Sequence, residues 1–200
     1  TGKAGFKAES GRYHLYVSLA CPWAHRTMIF RTLLGLDDVI SASIVDPLMG
    51  PGGWHFSDGP GCIPDTVNNA QFIHEVYLRA DPGCSTRATV PVLWDRVRQT
   101  IVNNESSEII RMLNTAFRRF QPDGTPDYYP AELHDEIEAV NERVYRDVNN
   151  GVYRCGFASS QHAYEAAFDA LFSTLAWLDS RLAEQRYLCG DHITEADWRL

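Results

Sequence analysis

The chain has 200 residues, a net charge of −8, 44% hydrophobic and 12% aromatic residues, the composition of a soluble globular protein with one large or two small domains. No basic run exceeds a pair, which argues against nucleic acid or an anionic membrane as partner. No stretch is apolar enough to span a bilayer, and no signal-peptide pattern is present. The five cysteines are scattered and never spaced CxxC, and the seven histidines lack an HExxH-type spacing. Both patterns speak against a disulfide framework or a metal site and for a reducing, cytoplasmic compartment.

Residues 12–19 read as a strand, and Pro22 opens an apolar helix over 22–36. Residues 39–45 alternate as a second strand, ended by Asp46-Pro47, and 48–66 form a long loop rich in Gly, Pro and Asp. Phe72, Ile73, Val76 and Tyr77 fall at helical spacing and predict a helix over 69–79. Residues 90–94 and 100–102 suggest a hairpin, followed by a helix over 106–113. This βαβ-α-ββα order is that of a thioredoxin-like domain. The polar, proline-rich stretch 117–130 reads as a linker. Beyond it the chain is expected to be helical, with one stripe at Leu133, Ile137, Val140, Val144 and Val148 and a second at Phe168, Leu171, Phe172, Leu175, Leu178 and Leu182. Thr194-Glu195-Ala196-Asp197 is a capping box. The fold class is therefore α+β, with a domain over 1–116, a linker over 117–130 and an all-helical domain over 131–200. The missing initiating Met and the stop just after a helix start imply a piece of a longer chain, incomplete in its helical domain.

Cys21-Pro22-Trp23-Ala24-His25-Arg26 carries the most chemistry. A cysteine between a strand and a helix N-terminus lies where orphan amides and the helix dipole favour thiolate over thiol, and His25 and Arg26 add nearby polar groups. A nucleophilic sulfur is expected. In Thr89-Val90-Pro91-Val92 a proline opens a strand. Local statistics favour a trans peptide, whereas thioredoxin-like domains use a cis one to leave the preceding backbone free for a peptide. At Asn104-Glu105-Ser106-Ser107 the helix-start amides and the Ser106 hydroxyl suit a carboxylate, and Glu105 suits an ammonium; an ordinary helix cap has the same appearance. Gly52-Gly53-Trp54 offers close backbone approach and a flat apolar wall, or a tryptophan tucked under its loop.

Together with Thr89-Val90-Pro91-Val92-Leu93-Trp94-Asp95 and Asn150-Gly151-Val152-Tyr153-Arg154-Cys155-Gly156-Phe157-Ala158, these segments resemble the Xi class of glutathione transferases, the glutathionyl-hydroquinone reductases. The resemblance implies a thioredoxin-like domain followed by a helical one, with glutathione as co-substrate and a quinone-derived aromatic as substrate. It implies that Cys21 takes glutathione from a glutathionyl-hydroquinone as a mixed disulfide, which a second glutathione resolves. Ala24 stands where a dithiol enzyme has its second cysteine, so an external thiol must finish the cycle. It further implies that Glu105 and Ser106 hold the γ-glutamyl end, that the Val90 backbone pairs with the cysteinyl part, and that Trp54 and Arg87 line and clamp the tripeptide. Tyr153 is implied at the aromatic site as a proton-handling hydroxyl; Tyr164 reads as a packing residue. A homodimer is expected by analogy. The alternatives are an Omega-like thiol transferase or dehydroascorbate reductase using the same Cys21, and a non-catalytic protein that binds aromatic ligands.

Overall fold

The computed structural model describes residues 5–200; residues 1–4, part of the first expected domain, lie outside the described residues. The chain divides into two compact units, one through Thr125 and one from Pro126.

The first unit is built on a four-stranded sheet of order β2-β1-β3-β4, from β1 (Tyr13–Ser18), β2 (Ser41–Val45), β3 (Val92–Asp95) and β4 (Thr100–Asn103). β1 runs parallel to β2 and antiparallel to β3. The helix α1 (Pro22–Leu33) supplies the crossover between the parallel pair, as parallel pairing requires. β3 and β4 form the expected hairpin, with a register shift at Leu93/Trp94. The helix α2 (Ile73–Ala80) precedes β3, and α3 (Ser106–Thr115) follows β4 and packs on α1. All six residues of β1 are buried. Tyr13, Leu15 and Val17 share one face by strand alternation, and His14, Tyr16 and Ser18 the other.

That second face is polar, and its groups are paired. The His14 ring lies between Ser41 Oγ at 2.7 Å and Ser43 Oγ at 2.9 Å. Burial pulls its pKa from the ordinary 6.5 down to about 4. Tyr16 donates to Asp65 at 2.9 Å. At the sheet's end Asp95, fully buried, receives the Arg12 guanidinium through Nε at 3.1 and 3.0 Å and through a terminal nitrogen at 2.5 Å. Burial alone would push the Asp95 carboxyl up, but Arg12 and the amides of Arg98 and Val97 outweigh it and hold its pKa below the usual range.

The helix expected from residue 69 starts only at Ile73. Asp65 takes the amides of Val67, Asn68 and Ala70 at 2.9, 3.1 and 3.0 Å, so the backbone donors a helix would use are already committed to a turn. Asn69 has a φ of 53°, and Phe72, with φ −133° and ψ 151°, is an extended N-cap rather than a helical position.

In the second unit α4 (His134–Val144) is followed by a π-helical turn at Tyr145–Asn149, then α5 (Gly151–Gly156), α6 (Gln161–Glu184) and α7 (Glu195–Arg199). Ile137, Val140 and Val144 are buried together with Leu178, Leu188 and Ala196, and Leu133 and Val148 flank them. The first expected stripe is a core stripe. The second is only half one: Leu171 and Leu178 are buried, while Phe168, Phe172, Leu175 and Leu182 keep 36–50% of their surface exposed. A periodic apolar face says where a helix can be covered, and neighbours decide how much of it is. The capping box forms, with the Thr194 amide donating to Asp197 at 2.8 Å. Among the described residues no helix is long and apolar enough to cross a membrane.

Candidate active site

Cys21 is the N-cap of α1, extended at φ −99° and ψ 113°, with Pro22 in the first turn. β1 ends three residues earlier, and the turn is closed by the Cys21 amide bonding the Ser18 carbonyl at 3.2 Å. The sulfur is half-buried and lies 3.7 Å from the Val90 carbonyl, to which the thiol donates. The Val90–Pro91 peptide is cis, where local statistics favoured trans. Pro91 has no amide to give to the sheet, and pairing begins at Val92, opposite Tyr16. The Cys21 sulfur and the cis-proline turn thus meet across neighbouring strand ends.

At the start of α3, Glu105 is exposed and its side chain accepts from the Ser107 amide and hydroxyl, each at 3.2 Å. Ser106 is 2% exposed. The glutamate therefore caps the helix while its carboxylate stays exposed to solvent.

Trp54 is half-buried in the long loop. Its carbonyl accepts from the Ile73 amide at 3.0 Å, and Phe56 pairs with Gln71 at 2.9 Å, so the loop lies against the entry to α2. Gly53 has a φ of +86°, and a Cβ on Gly52 would come within 2.6 Å of the Phe72 ring; the two glycines are required for this approach. Arg87 stands exposed in the segment leading to Val90.

Tyr153 belongs to the second unit. It lies on α5, 37% exposed, its ring stacked on Phe157 at 6.2 Å. It borders an open groove of about 760 Å³ floored by Ala163, Ala166, Ala167 and Ala170 of α6, with Arg146 and Arg154 at the rim. Tyr164 packs beside Phe168 at 5.8 Å. Among the described residues no cluster of three His, Cys, Asp or Glu could hold a metal ion.

The glutathione S-transferase N-terminal domain family matches residues 20–116, and the corresponding C-terminal domain family matches residues 161–200. The glutathionyl-hydroquinone reductase PcpF of Sphingobium chlorophenolicum is 54% identical over 98% of this chain and 63% of its own length. The solved glutathione-S-transferase Xi from Phanerochaete chrysosporium superposes with a TM-score of 0.97 at 52% identity, covering 100% of this chain and 69% of that one. The chain belongs to the Xi class of glutathione transferases. The glutathione-bound structure of YqjG from Escherichia coli K-12, 54% identical with a TM-score of 0.95, is matched over 100% of this chain and 65% of its own. The chain thus spans less than two thirds of the curated relative it matches.

Three residues tie these candidate-site segments together although sequence reasoning assigned them no such role. Tyr77 is one of the residues whose spacing predicts the helix α2. Its hydroxyl donates to the Thr89 carbonyl at 3.0 Å and accepts from the Asn104 side chain at 3.0 Å, joining the residue before Val90 to the residue before Glu105. Asp65 fixes the turn that leads to the entry of α2, where the Trp54 segment is bonded. Arg26, expected as a polar group near the sulfur, is 5% exposed and aims its guanidinium at Ser106. A signal for it existed: Arg26 falls among Ala24, Thr27 and Phe30, the buried side of α1. An arginine on a buried helix face must find a partner.

Proposed function

We propose that this chain is the nucleophile- and glutathione-bearing part of a glutathionyl-hydroquinone reductase. The observation that carries the reading is the Cys21 sulfur, at the head of α1 and 3.7 Å from the Val90 carbonyl beside a cis proline. The Val90 backbone can pair with the cysteinyl part of glutathione, Glu105 can take its ammonium, Ser106 its γ-glutamyl carboxylate, and Trp54 and Arg87 can flank the tripeptide. The relatives named as glutathionyl-hydroquinone reductases, and the glutathione-bound relative, support this assignment.

In the reaction, the Cys21 thiolate attacks the sulfur of the aryl thioether. The carbon–sulfur bond breaks, the ring carbon gains a proton, and hydroquinone leaves Cys21 joined to glutathione as a disulfide. A second glutathione thiolate attacks the glutathione sulfur of that disulfide, frees Cys21 and departs as glutathione disulfide. Tyr153 serves the ring, hydrogen-bonding the hydroquinone oxygen and assisting protonation. In this reading residues 1–116 carry the glutathione-binding groups and residues 131–200 the groups for the aromatic ring, with 117–130 as linker. The protein is a cytoplasmic homodimer in this reading.

Incubation with a glutathionyl-hydroquinone and glutathione, followed by chromatography, tests it. One hydroquinone and one glutathione disulfide per turnover are expected, and neither from Cys21→Ala. Reduction of a small mixed disulfide without hydroquinone release makes the protein a thiol transferase instead. Glutathione binding without either reaction makes it a binding protein.

A further inference from the structure

Arg26 directs two of its guanidinium nitrogens at one oxygen. Its Nε lies 3.0 Å and one terminal nitrogen 2.7 Å from Ser106 Oγ, and the two residues are 5% and 2% exposed. The guanidinium rests on the Trp23 ring, 5.0 Å from its centroid, which fixes its direction. A serine hydroxyl has two acceptor positions and one proton. Both N–H groups of Arg26 fill the acceptor side, and burial keeps water from replacing them.

We infer that Arg26 is a positioning residue that makes Ser106 a one-way donor, and so selects the carboxylate of the γ-glutamyl group at this position. The inference rests on the reading of Ser106 as that carboxylate's partner. A hydroxyl with no acceptor capacity left cannot receive an ammonium N–H; it can only give its proton to an anion. The adjacent cation polarises the O–H bond and strengthens that gift. Here the proton points to Glu105 Oε1 at a long 3.4 Å, an oxygen that also serves Ser107. A ligand carboxylate at ordinary hydrogen-bond distance is the better acceptor. Glu105, left to the ammonium, completes the sorting: two neighbouring residues read the two ends of an amino-acid zwitterion, and Arg26 decides which reads which.

The test is calorimetric affinity for two probes, glutathione and γ-aminobutyryl-cysteinylglycine, which keeps the ammonium and lacks the γ-glutamyl carboxylate. Ser106→Ala is expected to cut the preference for glutathione about tenfold and Arg26→Met about fivefold. The double variant should fall no further than Ser106→Ala alone. Arg26→Lys keeps the charge but not the fork, should lose part of the preference, and decides the matter if Arg26→Met does not fold. An Arg26 variant that keeps the full preference, or that weakens both probes equally, overturns the inference and leaves Ser106 in its role. If Ser106→Ala itself keeps the full preference, the Ser106 reading falls and the inference with it.

Discussion

The two units solve the problem of burial differently. In the first, β1 is buried along its whole length and polar side chains serve as internal pins: His14 between two serines, Tyr16 on Asp65, Arg12 on Asp95. In the second, the 24-residue helix α6 buries Ala167, Leu171, Thr174 and Leu178, and much of its remaining apolar surface stays open. The difference follows from what each must hold. The first unit presents groups from turns and helix starts, which have few packing contacts of their own and need directional bonds. The second is a set of helices whose backbones are satisfied internally, so a shared apolar seam carries most of the packing, with a few buried bonds such as Asn141 to Glu195 and Thr174 to Asp147.

The contrast can be broken at its most demanding point, the Cys21 sulfur of the first unit. Cys21→Ser should lower hydroquinone release by at least about 10³-fold while leaving glutathione affinity within a few-fold, because it removes the nucleophile and no binding group. Intact-mass spectrometry of the wild type with substrate should show the glutathione adduct, absent from the variant.

In the second unit the seam is what matters. Leu178→Ala should cost about 3 kcal/mol through a cavity beside Ile137 and Val144, read as the urea midpoint. Phe172→Ala, on the same helix but 50% exposed, should cost only about 0.5 kcal/mol. Equal losses would mean that the open face of α6 is covered in solution and that the two units are built more alike than described.

The pins of the first unit can be read by pH. The folded His14 pKa of about 4 lies below its ordinary 6.5, so the folded state refuses a proton that the unfolded state accepts. Its contribution is whole above pH 6.5 and is lost as pH falls toward 4. The loss should reach about 2 kcal/mol by about pH 5. His14→Gln, which can still bond a serine but cannot titrate, should flatten that window. The further loss at lower pH, as Asp95 protonates out of its bonds with Arg12, should remain.

What the sequence revealed was local. Cys21 was legible because a strand end, a helix start and a first-turn proline all lie within a few residues, and the hairpin and the core stripe of α4 were legible by period. What it hid was pairing across distance. Arg12 and Asp95 are 83 positions apart, and Arg26 and Ser106 are 80; no window contains both partners. The late start of α2 was hidden because Asp65, which takes the backbone donors, lies ahead of the apolar pattern that suggested the helix. The exposed half of α6 was hidden for the opposite reason: its period is correct, and period alone does not count neighbours.

A further expected effect sharpens the contrast, because the second unit also holds pins of the first unit's kind: Asn141 on Glu195, Thr174 on Asp147, and Asp197 before α7. One oxygen of Asp197 accepts from the Thr194 amide and the other from the Leu188 amide, each at 2.8 Å, tying the turn before α7 to the start of that helix. Asp65 binds three amides and the Tyr16 hydroxyl, whereas Asp197 binds two amides and the Thr194 hydroxyl beside a seam that is already packed. Asp197→Ala should therefore cost about 1 kcal/mol, and Asp197→Asn, which keeps one acceptor oxygen, about half as much. Amide hydrogen exchange at Leu188 and Thr194 should accelerate in both variants while exchange in α4 stays unchanged. Acceleration reaching α4 would mean that the seam depends on the pin, and that directional bonds rather than apolar contact hold the helical unit together.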